Sequence, residues 1–255
     1  MKHALVLGGT AEAREISQSL VGQGWAVTLA LKGLTKYPRI PPGVALRSGG
    51  FGGDKGLAAY LRDTRIDTLI DATHPFAAAM SWNAYRASQI SGVRLICVQR
   101  PPWHRTPGDR WQNIESLPKA ARCLKSLSSK SILQALGGQG AHCFRACCHH
   151  RFQARVLGDS KTPLALHPAS RWRGLSLARM TRHPSIADEM RGIQDFKADL
   201  MIVRNAGGDA GAKLEAARRL RLPVWMIQRP TMPPVQPYLS SSAALGALAH
   251  DRASL

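Results

Sequence analysis

A pattern of strand, loop, helix and strand occurs twice in this chain, and each copy closes on the same tripeptide. Residues 66–101 read as a strand over Ile66–Ile70, a loop, a helix over Trp82–Gln89, a strand over Val93–Val98 and then Gln99-Arg100-Pro101. Residues 198–230 read as a strand over Leu200–Val203, a loop, a helix over Ala212–Arg219, a strand over Val224–Ile227 and then Gln228-Arg229-Pro230. Short apolar runs alternating with helical stretches point to buried parallel strands. The recurrence predicts an α/β protein of two Rossmann-like, doubly wound parallel-sheet domains. Each would send a loop out of its strand C-termini toward a cleft between them.

The N-terminus is a βαβ unit. His3–Leu7 is a strand, Gly8-Gly9-Thr10 a turn, Ala11–Leu20 an amphipathic helix ending near Gly22 and Gly24, and Trp25–Leu31 a second strand. Glycines let main chain approach a pyrophosphate, and the helix N-terminus stabilises its charge. This makes Gly8, Gly9, Thr10, Ala11 and Glu12 candidate cofactor ligands. The motif falls short of a full G-x-G-x-x-G, since Ala13 stands near the place of the last glycine, and a Gly-Gly turn can serve tight packing alone. NAD sites carry an acid about 20 residues further on. Here no Asp or Glu occurs between Glu15 and Asp54, and Lys32, Thr35, Lys36 and Arg39 follow the second strand. That exchange favours NADPH, with Lys32 and Lys36 on its 2′-phosphate; the alternative is loop cations with no ligand.

Gly49-Gly50-Phe51-Gly52-Gly53 marks a loop whose main chain lies close to something, so Gly50, Phe51 and Gly52 join the candidate cofactor set; the alternative is a flexible connection, in which Phe51 would be an odd residue. Asp54 is expected to cap the helix that follows. The loop Asp71-Ala72-Thr73-His74-Pro75-Phe76 gathers an Asp, a Thr and a His at a strand C-terminus, where ligands bind in open α/β sheets. Pro75 fits a first helical turn, and Asp71 and Thr73 could instead do no more than cap that helix. The corresponding loop of the second half is Arg204-Asn205-Ala206-Gly207-Gly208.

Ser131–Gly140 repeats the theme of a strand running into a glycine turn and reads as the first strand of the second half. Pro-Pro-Trp at 101–103 and the polar stretch Thr106–Gln112 look like the boundary. The expected domains are therefore 1–110, binding NADPH, and 111–240, with a C-terminal tail over 241–255.

Charge narrows the partners. Lys plus Arg is 35 against 16 Asp plus Glu, a net +19. Such a field attracts nucleic acid, anionic membrane or a small substrate with several carboxylates or phosphates; the alternative is a generally basic, soluble surface with no such partner. Arg145 to Arg182 holds eight of the cations and one acid, Asp159. No RNA-binding signature, stacking platform of spaced aromatics or zinc-finger spacing accompanies them, which disfavours nucleic acid. No apolar run reaches membrane-spanning length, so no membrane partner is expected. Five cysteines, an odd number, suit free thiols in a reducing cytoplasm. Cys143, Cys147, Cys148, His149 and His150 lack the paired C-x-x-C of a zinc site, and no metal is assigned to them. A Ser-His-Asp elbow and a Walker loop are both missing.

Taken in order, Gly8-Gly9-Thr10-Ala11-Glu12, the Gly49–Gly53 block, Asp71-Ala72-Thr73-His74-Pro75-Phe76-Ala77, Arg100-Pro101-Pro102-Trp103 and Asn205-Ala206-Gly207-Gly208 resemble the precorrin-6A reductase family of cobalamin biosynthesis. The match runs from about Lys2 to Pro234. The resemblance implies NADPH-dependent reduction of one double bond in a tetrapyrrole macrocycle, precorrin-6A becoming precorrin-6B. Ala72, Thr73 and Pro75 then join the cofactor set, with His74 and Asp71 as catalytic candidates: His74, His183, or water held by Asp71 or Thr73, would deliver the proton. Arg204, Asn205, Gly207, Gly208 and Arg182 would meet the substrate's carboxylates. Contact with neighbouring pathway enzymes stays open. The chain departs from the family pattern in having Arg204 where a lysine is common, and Arg is a poor proton donor. Two other classes fit parts of this reading: another NADP-dependent reductase or nucleotide-sensing protein, and a basic nucleic-acid-binding protein, whose affinity would fall steeply with salt.

Overall fold

The computed structural model describes residues 1–32, 39–136, 140–157, 175–180, 184–208 and 211–250. They form two compact units, one of Met1–Pro101 with Pro230–Leu255, the other of Pro102–Arg229.

The first unit contains β1 (His3–Leu7), α1 (Ala11–Gly22), β2 (Ala26–Leu31), β3 (Ala45–Ser48), α2 (Gly53–Asp63), β4 (Thr68–Asp71), α3 (Ala78–Ser91) and β5 (Arg94–Cys97). Its strands are all parallel, in the order β3-β2-β1-β4-β5. Ala4, Leu5, Val6 and Leu7 of β1 are all buried, as expected of a strand covered on both faces. On one face Ala4 and Val6 meet Ala13, Ile16 and Leu20 of α1; on the other Leu5 and Leu7 meet Leu57 and Leu61 of α2 and Ala84 and Ala87 of α3. The strand order reverses between β1 and β4, the place where doubly wound sheets open a crevice at their C-terminal edge.

The second unit contains β6 (Trp111–Ile114), α4 (Leu117–Lys125), β7 (Ser131–Ala135), a 3-10 turn (Ala141–Phe144), β8 (Arg151–Leu157), β9 (Leu175–Met180), α5 (Ile186–Phe196), β10 (Leu200–Arg204), α6 (Gly211–Arg219) and β11 (Val224–Ile227). These strands too are parallel, in the order β6-β11-β10-β7-β8-β9, with the reversal between β7 and β10. A buried ion pair between Arg155 of β8 and Glu189 of α5 ties sheet to helix. Burial pushes the Arg155 pKa down to about 10.

Two expectations about domain limits need correction. The polar stretch Thr106–Gln112 is no boundary. The Asp109 carboxylate, its side chain fully buried, accepts from the Thr106 N–H and hydroxyl and from Arg218 Nε, so this loop is built into the second unit. Burial opposes its ionisation, but those hydrogen bonds outweigh it and hold its pKa below the carboxylate range. The division falls after Pro101, within the Pro-Pro-Trp that the sequence also offered, and the chain rejoins the first unit at Pro230. There Tyr238 bridges Val98 at the free edge of β5. Nor is 241–250 a tail. Ser241–His250 is helix α7, whose Ala244 and Leu248 are buried with Ile16 and Leu20 of α1, and whose Ser241 hydroxyl donates to Glu15. Among the described residues no helix is long and apolar enough to cross a membrane. The five cysteines are free thiols.

Candidate functional site

Three loops meet the C-terminal edge of the first sheet. The turn after β1 is the tightest. Gly8 has φ +115, and a Cβ there would lie 2.6 Å from the Ala72 oxygen and 2.8 Å from the Thr73 Cα. Only glycine lets this turn sit against the loop after β4. The Thr10 hydroxyl joins the same two segments: it donates to the Ala72 carbonyl at 2.7 Å and accepts from the Ala13 N–H at 3.1 Å as the cap of α1. The structure thus brings Gly8, Thr10, Ala72 and Thr73 together at the β1/β4 reversal. Gly9 is exposed and its carbonyl accepts from Arg14. Ala11 is the first residue of α1, and Glu12 in its first turn pairs with Arg100 at 3.2 Å. That pairing offsets an acid which would otherwise repel anions from the helix N-terminus.

The loop after β4 is not a helix cap. Helix α3 begins at Ala78 behind Ala77, with no side-chain capping bond. Buried Asp71 uses its carboxylate instead to accept the Thr73 N–H at 3.1 Å, and the Thr73 hydroxyl lies 3.3 Å from that of Ser81. Pro75 sits in a tight turn closed by the Ala77 N–H on the His74 carbonyl, ahead of the helix and not in its first turn. His74 is exposed, and its Nδ1 accepts the Phe76 N–H at 3.2 Å. An accepting Nδ1 places the proton of the neutral ring on Nε2. On β5, Cys97 pairs with Asp71; burial first and the neighbouring carboxylate second push its thiol up to about 12, so it is no nucleophile.

The loop after β3 is organised by a residue that the sequence did not single out. Arg47 donates from Nη1 to the Gly49 carbonyl at 3.0 Å and from Nη2 to that of Gly50 at 3.1 Å, with its guanidinium 3.8 Å from the Phe51 ring centroid. Gly52, in left-handed conformation, precedes α2; Asp54 is inside the first turn and accepts the Lys55 N–H, so it does not cap the helix. Gly56 has no room for a side chain, since a Cβ would meet the Phe51 carbonyl at 1.8 Å. Lys32 is exposed just past β2. Lys36, expected beside it, lies outside the described residues, as do Thr35 and, in the second unit, Arg182 and His183.

In the second unit the loop after β10 is held by side chains. Arg204 is partly buried and donates to the Leu136 carbonyl at 3.3 Å. Burial lowers its pKa, with the Cys143 thiol opposing. Asn205 is buried, and its carboxamide is consumed by Trp103: Oδ1 accepts the Trp103 N–H at 2.8 Å and Nδ2 donates to its carbonyl at 3.1 Å. Arg229 donates to the Asn205 carbonyl at 2.9 Å and to that of Ala206 at 3.2 Å. Gly207 and Gly208 both have positive φ, 67 and 75. The one signal for Arg100 and Arg229 was the repeated Gln-Arg-Pro. Nothing local marked the partners of Trp103. In the Cys143–His150 stretch, His150 accepts the Lys130 N–H on Nδ1 and bonds the Leu124 carbonyl through Nε2 at 2.8 Å. That is a structural use of the ring.

Two doubly wound parallel units, the first with a glycine turn locked onto the neighbouring loop at its strand-order reversal, define a Rossmann-like α/β protein. Residues 3–249 match the family model "Precorrin-6x reductase CbiJ/CobK", and the chain belongs to that family. It is 36% identical over 237 residues to a precorrin-6A reductase of Rhodococcus erythropolis, covering 92% of each chain. With one from Sinorhizobium sp it shares 37% identity over 249 residues, 96% of this chain and 92% of the other. The solved structure of a CobK precorrin-6A reductase superposes with a TM-score of 0.82 at 34% identity, covering 98% of this chain and 97% of that one.

Proposed function

We propose that this chain reduces one double bond of the precorrin-6A macrocycle at the expense of NADPH, yielding precorrin-6B. The observation that carries the reading is the Gly8 turn closed against Ala72 and Thr73, in a chain of the reductase family. A turn with no side chain at the head of a capped helix fits a pyrophosphate, and Arg100 on Glu12 removes the local electrostatic objection.

In this reading Gly8, Gly9, Thr10 and the N-terminus of α1 hold the pyrophosphate, while the Gly50-Phe51-Gly52 loop, fixed by Arg47, lines the cofactor. Lys32 and Lys36 take the 2′-phosphate, which selects NADPH over NADH. When bound, NADPH supplies the hydride. The rest of the work is positioning and proton delivery. His74 is the proton donor in its protonated form, in which Nδ1 gives up the Phe76 N–H and the imidazolium of this exposed ring hands a proton to the macrocycle, leaving the neutral ring to re-form that bond. Asp71 and Thr73 shape the loop that presents it. Arg204 and Arg182 bind the acetate and propionate carboxylates of the macrocycle by charge-assisted hydrogen bonds, and the net charge of +19 draws such a substrate in. Asn205 serves this site by holding the loop. The direct test is to mix the protein with NADPH and precorrin-6A and follow loss of reduced nicotinamide together with the change in the tetrapyrrole spectrum. Stoichiometric change in both supports the assignment; NADPH binding without macrocycle reduction would leave another NADP-dependent activity.

A further inference from the structure

We propose that Trp103 is a positioning residue for substrate: acting through Asn205 and Gly208, it fixes the loop that carries Arg204 and thereby sets tetrapyrrole affinity. The inference rests on the reading of that loop as the substrate loop. Three bonds leave this one residue, and all reach the same short loop. The main chain of Trp103 forms a reciprocal pair with the Asn205 carboxamide, at 2.8 and 3.1 Å, and its indole Nε1 donates to the Gly208 carbonyl at 2.8 Å. Trp103 therefore grips the loop at two points, Asn205 and Gly208. The residues it brackets include two glycines in left-handed conformation, Gly207 and Gly208, which have wide conformational freedom unless tied. Arg229 anchors the intervening carbonyls of Asn205 and Ala206.

The ring is not simply core filler. Trp103 packs by part of its surface on the cluster around Met226 and Val203, yet it also borders a cavity of about 300 Å³ with His104, Arg105, Asn113 and Gln228. The Lys213 ammonium stands 5.1 Å from its ring centroid. An aromatic kept for packing alone would need no indole N–H; here the N–H meets the Gly208 carbonyl. Preorganising a binding loop lowers the cost of ordering it around a ligand. Losing one such tie should appear in substrate binding before it appears in folding.

Trp103→Phe keeps the ring packing and the main-chain pair and removes only the bond to Gly208. Asn205→Asp keeps an acceptor for the Trp103 N–H but turns a second acceptor onto its carbonyl. In the full-length enzyme we expect the precorrin-6A dissociation constant to rise about threefold to tenfold in Trp103→Phe, the value of one hydrogen bond, and more in Asn205→Asp. KM should rise with it while kcat at saturation, the melting temperature of Trp103→Phe and the NADPH dissociation constant stay near wild type. Arg204→Ala, measured in parallel, separates the two levels. If Arg204→Ala weakens precorrin-6A and Trp103→Phe does not, the positioning role is overturned and the substrate loop stands. If Arg204→Ala also leaves precorrin-6A binding unchanged, both are overturned.

Discussion

The loops after β4 and β10 occupy the same place in two sheets of the same winding, yet they are built by opposite means. The first, Asp71–Phe76, is held by main chain and small groups: a glycine in contact with Ala72, a threonine hydroxyl at 2.7 Å, a carboxylate folded back on its own loop. The second, Arg204–Gly208, is held by long side chains arriving from Trp103 and Arg229. Close main-chain packing with no side chains in the way suits a pyrophosphate, which is recognised by N–H groups and a helix N-terminus. A loop braced in this way and carrying the cationic Arg204 suits a broad, polycarboxylate ring, which is recognised by charge-assisted bonds. Under the proposed assignment, one topology would serve two kinds of ligand because the loop chemistry differs and not the sheet.

The sharpest way to break the first half of this contrast is Gly8→Ala. The left-handed φ and the overlap with Ala72 together cost on the order of 3 kcal/mol, and the turn must shift to accommodate the methyl. NADPH binding should become undetectable while the protein still folds. Retention of wild-type NADPH affinity would detach the turn from the cofactor. Next in size, His74→Ala should lower kcat about a hundredfold, the low end for loss of a general acid, with little change in melting temperature because the ring is exposed. A drop in stability with turnover intact would leave His74 as a structural residue ahead of Pro75. Smaller again, Lys32→Ala should weaken NADPH about threefold to tenfold, as expected of an exposed cation, and leave NADH unchanged. Equal loss for both cofactors would argue against a 2′-phosphate contact.

The smallest effect belongs to pH and to the second unit. His150 is buried, with Lys130 N–H on Nδ1, and burial above all lowers its pKa from the ordinary value of about 6.5. The folded state therefore resists protonation that the unfolded chain accepts. The stability this contributes is complete above pH of about 6.5 and is lost as pH falls from there through the depressed folded value. Urea unfolding followed by tryptophan fluorescence across that window should show a loss for the wild type that His150→Gln largely removes. An equal slope in both proteins would assign the acid sensitivity elsewhere.

Much of this architecture was legible from residue pattern, because buried parallel strands are continuous apolar runs. The strands predicted at His3–Leu7 and Val224–Ile227 are those observed. What escaped notice lacked a local signal. Strand β6, Trp-Gln-Asn-Ile, has no periodicity and gains its place by pairing with β11 and by packing Trp111 and Ile114 into the second unit. Helix α7 is a run of Ser, Ala and Leu whose role follows from packing on α1, more than two hundred residues away in sequence. The same holds at the site. The Gly8 turn and the Asp71 loop announce themselves as motifs, but their contact with each other does not. Asp71 and Thr73 carry the residue types of helix caps and are not caps. The bonds from Arg47 and Trp103 are tertiary contacts of side chains that read, locally, as an ordinary strand cation and a boundary aromatic.

The central claim is that the cofactor belongs to the first unit and the macrocycle to the second. It is tested most directly by measuring NADPH and precorrin-6A dissociation constants separately for Gly8→Ala and Arg204→Ala. The account predicts a crossed pattern. Gly8→Ala loses NADPH and keeps precorrin-6A; Arg204→Ala weakens precorrin-6A about tenfold or more, the value of a charge-assisted bond, and keeps NADPH. If Arg204→Ala instead abolishes NADPH binding while precorrin-6A still binds, the two ligands have been assigned to the wrong units.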